Sequence, residues 1–184
     1  MVNSIRNKLL REENEYFHQK IDTICIKELK NFKHLGRKIG PFKVGHPYSL
    51  DNYIARILIK ENYIRFDDGN QITAKTIQKI NFRESTNREL GNIPKNHKHV
   101  YIQANQELKL LNTQSEEGKK PQKEFKQLYS DINDLIRVRL AKIIRFAIQT
   151  QNIQSKKALT SEELILFEGL SKQIKEWRDY LGSI

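Results

Sequence analysis

The spacing of apolar side chains divides this chain into two kinds of sequence. Residues 1–19 are polar, with Leu9, Leu10, Tyr16 and Phe17 as their few apolar anchors, and read as a helical N-terminal extension. A β-branched run follows at Ile21, Ile24 and Ile26, with Phe32 and Leu35 beyond it. Gly36, Gly40, Pro41, Gly45 and Pro47 come close behind. Gly supplies the backbone angles of turns, and Pro continues neither a helix nor a central strand, so this stretch predicts short strands joined by tight turns. Ser49 stands where an N-cap would. Leu50, Tyr53, Ile54, Ile57 and Leu58 follow at spacings of three and four, which predicts a helix over residues 49–61. Tyr63, Ile64 and Phe66 predict a last strand, closed by the turn residues Asp67-Asp68-Gly69-Asn70.

Beyond that turn the period is helical. Ile77, Ile80 and Phe82 anchor a helix over residues 73–89, and Gly91-Asn92-Ile93-Pro94 breaks it. Tyr101, Ala104, Leu108 and Leu111 make the next stripe, and residues 112–122 read as a polar loop. The longest helix is predicted over 125–148, where Leu128, Ile132, Leu135, Ile136, Leu140, Ile143, Ile144 and Ala147 cover a broad apolar face. Thr160-Ser161-Glu162-Glu163 has capping-box spacing. Phe167, Leu170, Ile174, Trp177 and Leu181 then repeat along a final helix, with Gly182 as its stop. The pattern predicts an α+β chain, mainly α: the extension 1–19, a small β-rich domain with one helix over 20–70, and an all-α domain over 71–184. Faces this apolar must be buried, and we expect the two longest helices to pack on each other and on a partner.

Charge narrows the class of partner. With 33 Lys and Arg against 22 Asp and Glu, the formal net charge is +11. Such a balance favours approach to nucleic acid or to acidic protein surfaces. The charge is spread through both halves rather than gathered in a tail. No stretch is long and apolar enough for a membrane helix, and the charged N-terminus has no apolar leader core, so a cytoplasmic location is expected. The single cysteine, Cys25, cannot form an internal disulfide and reads as a buried small hydrophobe.

The side chains of catalysis are not assembled in the sequence. His97 and His99 flank Lys98, but a zinc site needs about four placed ligands, and the trio reads as a solvated basic loop. The Gly-Pro cluster lacks both the spacing of a nucleotide-binding loop and a G-K-[ST] ending. Asp67 and Asp68 read as turn residues rather than cation ligands. No catalytic, cofactor-binding or metal-binding residue is therefore expected. Arg137, Arg139, Lys142 and Arg145 share the longest helix. They could contact phosphates, or their stems could cover apolar surface while their heads pair with acids of a neighbouring helix or subunit. No aromatics interleave them as single-strand stacking would require, which favours the second reading.

Four segments in order carry a resemblance. Ile39-Gly40-Pro41-Phe42-Lys43-Val44-Gly45-His46-Pro47, leading into the helix predicted at 49–61, resembles the G-P-F-x-x-G-x-P turn and helix of the small domain in the GINS subunit Psf-two. Ile136-Arg137-Val138-Arg139-Leu140-Ala141-Lys142-Ile143 resembles the family's R-[IL]-A-K-[IL] signature. Ile93-Pro94 with residues 101–111 resembles its P-x-x-Y…L-x-x-L-L helix, and Leu159-Thr160-Ser161-Glu162-Glu163 opens a last helix as in the family. The agreement runs over residues 20–182; the first 19 residues and the loop 112–122 depart from it.

The resemblance implies an archaeal GINS subunit of the small-domain-first type, similar to the eukaryotic Psf-two and Psf-three. It implies a non-catalytic structural role in DNA replication, without cofactors, in a heterotetramer with a second type of GINS subunit. The MCM helicase and a RecJ-like, Cdc-forty-five-like protein are the implied replisome partners, with primase a further candidate and a nucleoid-associated location. Arg139, Lys142, Phe167, Leu170, Ile174, Trp177 and Leu181 are the expected packing or subunit-interface residues. Gly40, Pro41, Phe42, Gly45 and Pro47 are the expected anchors of the small-domain turn. The competing reading is a free-standing basic helical DNA-binding protein.

Overall fold

The β-branched run after the N-terminal extension builds the central strand of the smaller of two units. The computed structural model describes residues 4–67, 69, 71–118, 120–149 and 156–182. The chain divides into Glu13–Gln71 and a second unit made of Met1–Glu12 with Ile72–Ile184. The first helix, α1 (Ile5–His18), contributes to both.

In the smaller unit, β1 (Lys20–Cys25) pairs antiparallel with β4 (Pro47–Asp51) on one side and β5 (Ile64–Phe66) on the other. A separate hairpin joins β2 (Phe32–His34) to β3 (Arg37–Ile39). Its two-residue turn, Leu35-Gly36, has positive φ at both positions, the geometry whose twist matches the flanking strands. Leu35 is accordingly 82% exposed rather than an apolar anchor. The helix predicted at 49–61 is shorter: α2 runs Asn52–Lys60. Ser49 is not its cap but lies in β4 opposite Asp22, because residues 47–51 extend the ladder instead of starting a helix. Asn52 is fully buried; its Nδ2 donates to the Tyr16 carbonyl and its Oδ1 accepts from Arg56 Nε, so the burial leaves neither end unpaired.

Phe42 packs at the centre of this unit with Cys25, Ile54, Ala55, Leu58 and Ile64. Its backbone bridges Leu29, and its ring meets the Tyr48 ring edge-on at 4.7 Å. The Tyr48 hydroxyl in turn accepts from the Lys43 amide. Gly40 has φ +93°, precedes a cis bond to Pro41, and lies so close to Asn31 and the Phe42 ring that a Cβ would stand 3.2 Å from both. Gly45 also has positive φ, and Pro47 opens β4 opposite Ile24. Of the turn residues after β5, Asp67 donates its amide to the Asp22 carbonyl; Asp68 and Asn70 lie outside the described residues.

The larger unit is helical: α3 (Ala74–Thr86), α4 (Val100–Glu116), α5 (Gln122–Gln149) and α6 (Ser161–Leu181), with a 3-10 turn at Lys95–His97. Thr73 caps α3 by accepting from the Thr76 amide. The polar loop predicted at 112–122 is half helix, since α4 continues to Glu116. Asn112 bonds Glu116 one turn on, and Thr113 bonds back to the Lys109 carbonyl, so polar residues there extend the helix until Gly118 takes positive φ. Phe82, expected as an anchor of α3, is 72% exposed. It lies two residues from Ile80, on the opposite side of the helix from the buried Ile77–Ile80 face.

Two apolar clusters lie along α5. Leu128, Ile132 and Leu135 join Ile77, Ile80, Val100, Ala104 and Leu111 in the first. Ile143, Phe146 and Ala147 join Leu159 and Phe167 in the second. A polar seam runs beside the first, where Gln78 and Asn81 of α3 donate to the side chain and carbonyl of Asp131.

Candidate interaction site

Between the two clusters, α5 presents Arg139, whose side chain is fully buried. Position 139 continues the inner stripe Leu128, Ile132, Leu135 at a spacing of four, so helical geometry alone carries a guanidinium into the core. Two helices and two loops receive it. From α6, Glu163 accepts from Nε at 2.5 Å and from Nη2 at 2.7 Å in the two-pronged geometry that suits a guanidinium. From α3, Glu84 accepts from Nη1 at 2.7 Å. The carbonyls of Gly91 and Ala158 take remaining donors. Burial works against the charge of Arg139, but its bonds to Glu163 and the charges of Glu163 and Glu84 outweigh that cost and hold it cationic, above its ordinary range.

Lys142 reaches the same centre from one turn further along. Its Nζ donates to Glu84 Oε2 and to the Glu84 carbonyl, both at 2.7 Å, and to the Glu89 carbonyl. Tyr101 of α4 donates its hydroxyl to Glu163 at 2.6 Å; burial, then the adjacent carboxylate, raises the phenol well above its ordinary range. The centre thus ties α3, α4, α5 and α6 together. Glu163 serves twice, since its side chain also accepts from the Thr160 amide while Thr160 Oγ1 accepts from the Glu163 amide. Next to it, Glu162 accepts from the Ile102 amide in the first turn of α4, where the helix dipole favours an anion. Burial raises the pKa of Glu162.

Glu84 and the Tyr101 hydroxyl are the members that the sequence reading missed. Glu84 had a signal: it follows Ile77 and Ile80 at spacings of three and four, a carboxylate in register with a buried stripe. The two histidines also differ from expectation. His97 and His99 are buried, not part of a solvated loop. His97 Nδ1 pairs with Gln103 Oε1 at 3.2 Å, and His99 Nδ1 lies 3.8 Å from a Glu12 carboxylate oxygen. They pack where α4 begins, because Val100 and Ala104 draw that helix start into the core. Among the described residues no group of His, Cys, Asp and Glu is placed to hold a metal ion.

The remaining predicted residues separate into inner and outer sets. Phe167 is buried and stacks on Phe146 with centroids 4.6 Å apart; Leu170 and Ile174 pack half-buried against the same cluster. Trp177, 63% exposed, and Leu181 face outward. The broad apolar face of α5 divides likewise. Ile136, Leu140, Ile144 and Ile148, one turn apart, form an outer ridge between 37% and 47% exposed. Arg137, which pairs with Asp134, and Arg145 are exposed on the same helix.

Residues 71–182 match the family model of the GINS complex protein helical bundle domain. That stretch begins at the division between Gln71 and Ile72 and includes the whole Arg139 centre. No curated protein matches the chain. No helix among the described residues is long and apolar enough to cross a membrane. A helical bundle pinned through its longest helix, with that helix's outer face left apolar, is what a subunit of an assembly needs, and by the family match this chain belongs to the GINS family of replication-complex proteins.

Proposed function

We propose that this chain is a small-domain-first GINS subunit of the archaeal type, a non-catalytic member of a tetramer with a second type of GINS subunit. In this reading it bridges the MCM helicase and a RecJ-like, Cdc-forty-five-like protein at the fork, with primase as a further partner, in the cytoplasm near the nucleoid. The order of units supports the subunit type, since the β-rich unit precedes the helical one. The observation that carries the structural role is the outer ridge of α5. Contiguous apolar surface of this kind marks contacts with other chains. Trp177 and Leu181 of α6 are the companion contacts, and Arg139 and Lys142 act beneath the interface rather than in it.

Two of the four basic residues within residues 137–145 of α5 favour the adaptor over a free-standing DNA-binding protein. Arg139 and Lys142 are held by Glu84 and Glu163, so they are not displayed to a phosphate backbone. Size-exclusion chromatography of the chain, alone and with a second GINS-type subunit, tests the reading. A shift of both proteins to a shared tetramer-sized peak is expected, followed by co-elution with the helicase. A chain that stays alone and binds duplex DNA with a steep salt dependence overturns it.

A further inference from the structure

The smaller unit opens into a cleft of about 420 Å³ lined by strands β3 and β4. Three consecutive residues of each strand reach it: Arg37, Lys38 and Ile39 from β3, and Ser49, Leu50 and Asp51 from β4. Successive side chains on a strand point to opposite faces, so a cleft that meets three in a row runs along the strand's edge. Both strands have an edge to offer. Among the described residues β3 pairs only with β2, and β4 only with β1. An edge of this kind carries backbone donors and acceptors without a ladder partner and is a template for an added strand.

The chemistry of the lining selects what could fill it. Lys20, Arg37 and Lys38 bring three fixed cations, and Asp51 is the one carboxylate among the lining residues. None of the three cations has an ion-pair partner among the described residues, unlike Arg139 and Lys142 in the larger unit. Between them Ile39, Leu50 and Ile54 supply apolar wall, and Leu35 stands exposed at the rim. The aromatic residue of the cleft, Tyr53, has the His18 ring edge-on and the His34 ring tilted against it, each at 5.7 Å. Its ring is thus occupied and offers no open platform for a nucleic-acid base. Cations set beside apolar side chains along a strand edge suit an extended peptide that carries both carboxylates and apolar side chains.

We propose that this cleft takes an extended acidic peptide segment of another protein, added as a strand to the vacant edge of β3 or β4. Its carboxylates are drawn to the cations of the lining, Lys20 with Arg37 or Lys38 according to which face they project from, and its apolar side chains lie on the apolar wall of Leu50 and Ile54. Main-chain hydrogen bonds then supply affinity and the alternating side chains supply selectivity. The test uses the full chain and a labelled, strand-length peptide of alternating Val and Glu, with a Val-Lys peptide and oligothymidylate as comparisons. Fluorescence anisotropy should show saturable binding of the Val-Glu peptide and not of the Val-Lys peptide. Affinity should fall at least about tenfold in Arg37→Glu/Lys38→Glu, where attraction becomes repulsion between exposed side chains. Amide exchange in the wild-type chain should slow at residues 37–39 or 49–51 when the peptide is bound, a readout that does not depend on the variant. Equal binding by the double variant, or binding without slowed exchange on either strand, overturns the proposal. So does oligothymidylate that binds more tightly than the peptide and is lost in the same variant, which would make the cleft a nucleic-acid site.

Discussion

Arg139 of α5 and Glu163 of α6 are joined by two hydrogen bonds, and the same Glu163 closes the capping box that starts α6. One carboxylate therefore fixes both where the last helix begins and where it sits on the longest one. Thr160 is buried as well, so the junction is shielded from water and from screening.

Removing Arg139 leaves Glu84 and Glu163 buried with fewer partners. Arg139→Ala should cost about 3–5 kcal/mol, the scale for breaking one side of a buried ion pair. Arg139→Lys should recover little, because a single ammonium cannot reproduce the fork that meets Glu163, Glu84 and the Ala158 carbonyl together. Urea unfolding followed by helical circular dichroism measures both. Losses below about 1 kcal/mol, the scale of surface substitutions, would show that the centre does not hold the bundle together. In a DNA titration at two salt concentrations, Arg139→Ala should change affinity less than it changes folding or assembly.

The cap can be separated from the ion pair. Thr160→Ala removes the acceptor for the Glu163 amide and should cost about 0.5–2 kcal/mol, while Thr160→Ser keeps the oxygen and most of the stability. Equal losses in both variants would assign the effect to the methyl group's packing instead.

In the smaller unit, Phe42 is 2% exposed and central to its cluster. Phe42→Ala should destabilise that unit by about 3–5 kcal/mol. A change below about 1 kcal/mol would mean the ring is not part of the core. Thermal melts that follow strand and helix signals separately make the comparison.

His97 gives the larger unit a sensitivity to acid. Burial lowers its pKa below the ordinary 6.5, against the opposing pull of Gln103. The unfolded chain therefore takes up this proton at a higher pH than the folded one. The contribution is complete above pH 6.5 and is lost as the pH falls below that value, until the folded histidine protonates too. Glu162 acts in the opposite sense: its raised pKa costs stability at neutral pH, relieved as the pH drops toward 4.5. Denaturant midpoints between about pH 5 and 8 should decline on the acid side, and His97→Gln should flatten that decline. An unchanged profile in the variant would contradict the assignment.

The division of labour along α5 was partly legible in the sequence. Its length and apolar face were plain from the period, and so was the capping box at Thr160. The resemblance singled out Arg139 and Lys142, but the reading of charge along the helix did not by itself tell Arg139 from Arg137, although their helical positions differ: Arg139 continues the Leu128–Leu135 stripe, whereas Arg137 falls off it and pairs with Asp134. Position could have flagged Arg139 and Glu84, but only the fold shows that they meet. The start of α2 was misplaced for a related reason. Ser49 has the chemistry of a cap, but its partner in β1 lies far away in sequence, and strand pairing of that kind leaves no local trace. The β3–β4 cleft was not legible at all, since it is made by segments whose spacing carries no period.

The central claim is that the outer ridge of α5 seats another GINS subunit, and sedimentation velocity on a ridge variant tests it most directly. Leu140→Glu/Ile144→Glu places two charges on exposed positions and leaves the inner stripe and the Arg139 centre intact. The variant should keep wild-type helical content yet sediment alone when mixed with the second GINS-type subunit, whereas the wild-type chain sediments with it as a tetramer. A folded variant that forms the same tetramer as the wild type would contradict the claim.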